Sequence, residues 1–167
     1  MAFASLRDAD RLAWRQASLF ARAVEVISDE TLAGILRFEG WGIKCDATCA
    51  DGMWTLRRHG FLWRNVTVEQ TDTSQPVATV SMRFTSGTLR LTRGETYSWK
   101  QLRFWSGETA FLTQSEFPIV KFKPKRFSIK DTGEITIQRE YATSPDLPFL
   151  IMLGVYLTVL NQRRRRS

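Results

Sequence analysis

Short runs of apolar, β-branched and aromatic residues follow one another along most of this chain, separated by Gly, Asp, Asn, Ser and Pro. Such runs, bounded by turn-forming residues, are typical of successive β-strands. From about Leu19 onward the pattern predicts about twelve strands, with connections too short for crossover helices. We therefore expect mostly antiparallel pairing in a sandwich or a barrel. The predicted strands are 20–27, 32–39, 41–49, 53–58, 61–69, 76–84, 88–92, 95–104, 109–113, 117–123, 126–130 and 134–140.

The pattern changes near the C-terminus, where the segment 144–148, Ser-Pro-Asp-Leu-Pro, predicts a turn that leads into a helix. Pro148 suits the first helical position, and Asp146 suits the cap or the positive end of the helix dipole. The run Leu147–Leu160 contains no charged residue, and Gly154 within it would allow a strand to approach closely. A helix that is apolar on every side must be surrounded by protein or by lipid.

Two observations favour protein around this helix. At about 1.5 Å per residue, Leu147–Leu160 is roughly 21 Å long, short of the roughly 30 Å hydrocarbon core. A tail anchor would also carry Arg163–Arg166 across the membrane, against the preference of Arg and Lys for the cytoplasmic side. About eleven or more strands leave room for a central helix, whereas eight fill the interior with their own side chains. We predict a mainly β fold, a closed, mostly antiparallel barrel of about twelve strands around a central helix at 147–160.

The length and composition fit one globular domain. A chain of 167 residues can bury one core, and contents of 43% hydrophobic and 25% charged residues are those of ordinary globular proteins. We predict an N-terminal helix or loosely held arm at 1–18, a barrel domain at 19–162 and a basic tail at 163–167. Because the start of the chain lacks the pattern of a secretory signal, we expect a cytoplasmic monomer with reduced thiols.

The formal charge of +7 comes mainly from two short segments. One of them is Arg163–Arg166 at the C-terminus, which would contact anionic lipid or nucleic acid. Alternatively, these arginines would form a solvated tail that stabilises the helix dipole. In a strand, Lys121, Lys123 and Lys125 would form a row at intervals of roughly 6–7 Å that suits phosphates or lipid headgroups. Alternatively, lysines and a proline protect an edge strand from aggregation. The other segment, which contains these lysines, has five basic residues: Lys121, Lys123, Lys125, Arg126 and Lys130.

No pattern of catalytic residues is evident. His59, the only histidine, lies in an expected turn. Cys45 and Cys49 would be about 13 Å apart on a strand, too far to bind one metal ion. Neither a Gly-x-Ser-x-Gly elbow nor a glycine-rich phosphate-binding loop occurs. We expect no catalytic residue, no metal and no cofactor, and the alternative is an enzyme whose site only the fold assembles.

Three segments, together with the order of elements, carry a resemblance to a known family. They are the run 50–54 leading into 57–61, the segment Gly87–Leu91 to Tyr97–Trp99, and the closing helix Leu147–Leu160. In these features the chain resembles the tubby-like superfamily, which includes the tubby C-terminal domain, the LURP-one-related proteins and the phospholipid scramblases. The resemblance implies the same barrel and an association with phosphoinositides or with lipid movement.

Together these features predict a non-enzymatic domain, peripheral to a membrane, that binds an anionic lipid or phosphoinositide through a basic surface. A module that binds a protein or a small ligand is the alternative. Nucleic acid is less favoured because the basic strand lacks an aromatic stacking platform.

Overall fold

A computed structural model describes residues 2–16, 22–40, 43–60, 64–84, 86–126 and 128–166. These residues form twelve strands and one α-helix, preceded by a short 3-10 turn at Arg139–Tyr141. The elements are β1 (Leu12–Gln16), β2 (Ala23–Ser28), β3 (Thr31–Glu39), β4 (Lys44–Cys49), β5 (Gly52–His59), β6 (Asn65–Gln70), β7 (Pro76–Arg83), β8 (Ser86–Leu91), β9 (Thr96–Arg103), β10 (Glu108–Leu112), β11 (Pro118–Pro124), β12 (Thr132–Ile137) and α1 (Leu147–Arg166).

The strands close into a barrel in which each strand pairs antiparallel with the next. β1 completes the ring by pairing with β12, with Leu12 opposite Ile135 and Trp14 opposite Gly133. The predicted fold class, a closed antiparallel barrel of about twelve strands with a hydrophobic C-terminal helix, is confirmed. β11 has β10 on one side and β12 on the other. The proposal that its lysines protect an edge strand is therefore wrong, because a closed barrel has no edge.

The N-terminal residues do not form the expected helix or loose arm. Leu12, Trp14 and Gln16 of β1 point inward and are buried, while Ala13 and Arg15 point outward. Ahead of β1, Leu6 is buried in the core and Arg7 Nη1 donates to Ser144 O at 2.6 Å. The residues ahead of β1 thus cover one end of the barrel. The alternation of buried and exposed residues in β1 is short and is surrounded by charged residues, and for this reason the sequence predicted a polar helix.

One predicted strand, 126–130, is absent. Its described residues lie in the connection between β11 and β12, and Phe127 lies outside the described residues. One missed strand and one wrongly predicted strand therefore leave the expected number unchanged.

The helix lies inside the barrel and is buried from Leu147 to Val159. It ends at Arg166 rather than at Leu160, so the basic segment 163–166 forms its last turn instead of a separate tail. Within the described residues, no helix combines the length and the apolar character that a membrane span needs.

Gly154 allows the helix to contact the barrel wall. A Cβ placed on Gly154 would overlap the ring of Phe122, which points inward from β11. The ring cannot easily move, because its centroid lies 5.6 Å from that of Trp99 and 6.4 Å from those of Trp14 and Phe111. The small residue thus fixes where the helix sits in the barrel.

We expect Gly154→Ala to lower the free energy of unfolding by about 2 kcal/mol, because overpacking a filled core costs more than the roughly 1 kcal/mol that Ala gains in helix propensity. Urea unfolding measures the change. Phe122→Leu alone, and Gly154→Ala with Phe122→Leu, complete a double-mutant cycle in which the two changes should partly compensate. A Gly154→Ala protein as stable as wild type would contradict this packing.

Candidate functional site

The up-and-down topology places successive connections at alternate ends of the barrel. The C-terminal turn of α1, Arg163–Arg166, lies at one of these ends, because Gln162 Nε2 donates to Thr132 O at 3.1 Å at the start of β12. We call this the basic end. It comprises Arg163–Arg166 and the described residues of the connections 17–22, 40–43, 60–64, 84–85, 104–107 and 125–131. The other, the acidic end, comprises 2–11, 29–30, 50–51, 71–75, 92–95, 113–117 and 138–146.

Charged residues are strongly separated between these two ends. The basic end has nine basic residues and one acid, Asp131, whereas the acidic end has four basic residues and ten acids. The nine basic residues are Arg22, Arg64, Lys125, Arg126, Lys130 and Arg163–Arg166. The ten acids are Asp8, Asp10, Asp29, Glu30, Asp51, Asp72, Glu95, Glu116, Glu140 and Asp146. The molecule therefore has a charge dipole along the barrel axis.

The predicted lysine row is only partly present. Lys121 and Lys123 lie on the outer face of β11, with Phe122 buried on the inner face as expected. The strand ends at Pro124, so Lys125 belongs to the following connection rather than to the row. Lys123 lies opposite Glu134 of β12, an exposed acid on the same outer face, which weakens the positive potential there.

The remaining predicted residues of this segment lie at the basic end. Lys125 and Arg126 are exposed, and Lys130 is half-buried. Arg126 Nη2 donates to Phe104 O at 3.3 Å, which joins the connection 125–131 to the connection 104–107.

The arginines of the last helical turn divide into two roles. Arg163 Nε lies 2.8 Å from Oδ2 of Asp131, whose side chain is 1% exposed, and its guanidinium lies 4.4 Å from the centroid of the Phe38 ring. Arg163 therefore holds the helix end in the barrel. Arg164 and Arg165 are exposed, and Arg165 reaches the β9–β10 turn beside Gly107. These two side chains, rather than Arg163, present charge at the surface.

Four apolar side chains at the basic end were missed as functional candidates. Phe84, Phe104, Trp105 and Ile129, here named the apolar tips, are 82%, 82%, 68% and 69% exposed. They lie on three successive connections of this end, β7–β8, β9–β10 and β11–β12. The sequence pattern placed Phe84, Phe104 and Ile129 within predicted strands, although the Ser-Gly pair directly after Trp105 indicates a turn.

A groove of about 420 Å³ lies at the acidic end, between Trp54, Leu91 and Phe149. Asp146 lines it, and its carboxylate accepts from Tyr97 Oη at 2.6 Å and from Arg93 Nη2 at 2.5 Å, while its backbone oxygen accepts the first helical bond from Leu150 N. Burial and the bond to Asp146 raise the pKa of Tyr97. Arg93 also pairs with Glu95, so the described residues that line the groove offer no unopposed positive charge to an anion.

The residues considered for metal binding or catalysis are not assembled into a site. Cys45 and Cys49 are buried on β4 as expected, and burial is the main factor that raises the pKa of both thiols. His59 is exposed at the last position of β5. Over the part of the chain that the structure describes, no three His, Cys, Asp or Glu side chains converge as metal ligands.

Comparison with family models, with curated proteins and with solved structures finds no match for this chain. The tubby-like resemblance stays a prediction. Function is therefore inferred from the geometry and charge of the two ends.

We expect Arg163→Gln to lower the free energy of unfolding by about 2 kcal/mol, because the buried Asp131 carboxylate loses a charged partner. Thermal or urea unfolding measures the loss. Adding Asp131→Asn should recover part of it, since the buried charge is then removed as well. Arg164→Gln, at an exposed neighbouring position, serves as the control and should change stability little. Equal losses from the two single variants would contradict the division of roles.

Proposed function

We propose that this chain is a non-enzymatic domain that binds the anionic face of a lipid membrane through its basic end. The observation that carries the proposal is the separation of charge, with nine basic residues and one acid at one end and ten acids and four basic residues at the other. A molecule with such a dipole turns its basic end toward an anionic surface. Each Lys or Arg near that surface contributes about 1 kcal/mol.

The main binding residues in this proposal are Lys125, Arg126, Arg164 and Arg165. All four are exposed at the basic end, so they can approach one flat surface together. Lys130 and Arg64 add charge at the same end. Lys121 and Lys123 contribute less, because they lie on the barrel wall and Lys123 faces Glu134.

The groove at the acidic end supports a second candidate function, the binding of a small ligand. Its apolar walls, including Trp54 and Phe149, suit a ligand with an apolar face. Because Arg93 is already paired with Asp146 and Glu95, the ligand would be uncharged or cationic. The groove therefore does not compete with the basic end for an anionic partner.

Co-sedimentation with vesicles tests the membrane proposal. We expect binding to vesicles that contain phosphatidylserine or a phosphoinositide, little binding to neutral vesicles, and weaker binding as salt rises. Arg164→Gln with Arg165→Gln should weaken binding about thirtyfold, the effect of about 2 kcal/mol. Arg90→Gln with Arg139→Gln removes the same charge from exposed positions outside the basic end and should have little effect.

A third variant, Lys121→Gln with Lys123→Gln, measures the contribution of the barrel wall and should cause a smaller loss than the arginine pair. Binding that ignores salt and headgroup charge would defeat the proposal. So would an equal loss from the basic-end variant and its charge-matched control.

A further inference from the structure

The apolar tips are the four most exposed large apolar side chains among the described residues. Their exposure gives no packing energy to the fold, because apolar area stabilises a protein only when it leaves water. All four lie at the basic end. The stability of the fold therefore does not explain why apolar side chains occupy these turns.

The backbone of Phe84 strengthens this point. Phe84 has φ +50°, in the left-handed region that Asn and Gly adopt most readily. A bulky residue in this conformation is strained, and strained residues cluster at functional sites. Neither burial nor turn geometry accounts for a phenylalanine at this position.

Cations flank the apolar tips. The Arg64 guanidinium lies 5.5 Å from the centroid of the Phe84 ring, and Arg126 binds the carbonyl of Phe104. Arg165 lies beside Gly107 in the turn that carries Phe104 and Trp105, and Lys130 follows Ile129 in the chain. Apolar and positively charged groups therefore lie next to one another at the basic end.

We propose that the apolar tips insert into the boundary between the headgroups and the acyl chains of an anionic bilayer, while the flanking cations bind the lipid phosphates. The inference rests on the membrane binding proposed above and specifies how the surface is held. Apolar and aromatic side chains that enter this boundary, with Lys and Arg at the phosphates, are the physical pattern of interfacial binding. The core of a protein interface, by contrast, is depleted of charge. Bases of a nucleic acid could stack on Phe84, Phe104 and Trp105, but Ile129 has no ring for stacking.

The test uses the full chain and vesicles of phosphatidylcholine with phosphatidylserine at low and high salt. Phe104→Ser with Trp105→Ser should weaken binding at least tenfold and should reduce the part of wild-type binding that survives high salt, with Phe84 and Ile129 accounting for what remains. The matched control is Met53→Ser with Phe117→Ser, which removes two exposed apolar side chains at or beside the acidic end and should bind like wild type. Lipids brominated on their acyl chains should quench wild-type tryptophan fluorescence, and Trp105→Phe should reduce that quenching.

Failure of the insertion and failure of the membrane proposal are distinguishable. If wild type ignores anionic vesicles at every salt concentration, the proposed function fails and the insertion fails with it. If wild type binds, but the tip variant binds equally well and quenching is absent, only the insertion is overturned. Binding to a single-stranded DNA oligonucleotide that the same tip variant abolishes would assign the surface to nucleic acid, and would also overturn the insertion.

Phe84→Asn separates a functional from a structural role for Phe84. Because Asn tolerates positive φ, we expect a Tm equal to or above that of wild type together with vesicle binding that is several-fold weaker. Phe84→Leu, which keeps an apolar side chain, should retain more of the binding. A lower Tm with unchanged binding would show that Phe84 serves the fold and would remove it from the inserting surface.

Discussion

The packing of one uncharged helix inside the barrel is the interaction on which the rest of the structure depends. A barrel of twelve strands is too wide for its own side chains to fill, and α1 occupies the interior with residues that are buried from Leu147 to Val159. The contact between Gly154 and the Phe122 ring sets the depth of the helix relative to the wall. Without the helix, the inward-facing aromatic residues of the strands would line a cavity.

The direction of the helix also contributes to the charge of the two ends. Its first turn begins beside Asp146 at the acidic end, and its last turn brings Arg163–Arg166 to the basic end. Cations at a helix C-terminus interact favourably with the negative end of the dipole, so residues that suit the fold also add positive charge to the basic end. Arg163 is paired with the buried Asp131, while Arg164 and Arg165 are exposed. Fold stability and surface potential are thus assigned to neighbouring residues.

Several local predictions failed because long-range pairing overrode the local pattern. Charged neighbours hid the alternation of β1, which becomes a strand because β2 and β12 both pair with it. The lysine row of β11 ends at Pro124, since the chain must turn there to reach β12. The exposure of Phe84 and Phe104 could not be predicted either. Both residues belong to apolar runs that predict strands, and only the structure shows that the hairpin turns begin at these residues. The sequence could not show that Glu134 weakens the positive potential of β11, because this depends on the register that places Glu134 opposite Lys123.

The sequence by itself determined the class of the fold. Short runs bounded by turn residues indicate many antiparallel strands, and an uncharged run too short to span a bilayer indicates a helix enclosed by protein. These properties are local, so they can be read from composition and spacing. Only the tertiary structure decided where the proposed binding surface lies. The residues of the basic end are distant in sequence, and they meet because alternate hairpins and the last turn of the helix reach the same end of a closed barrel.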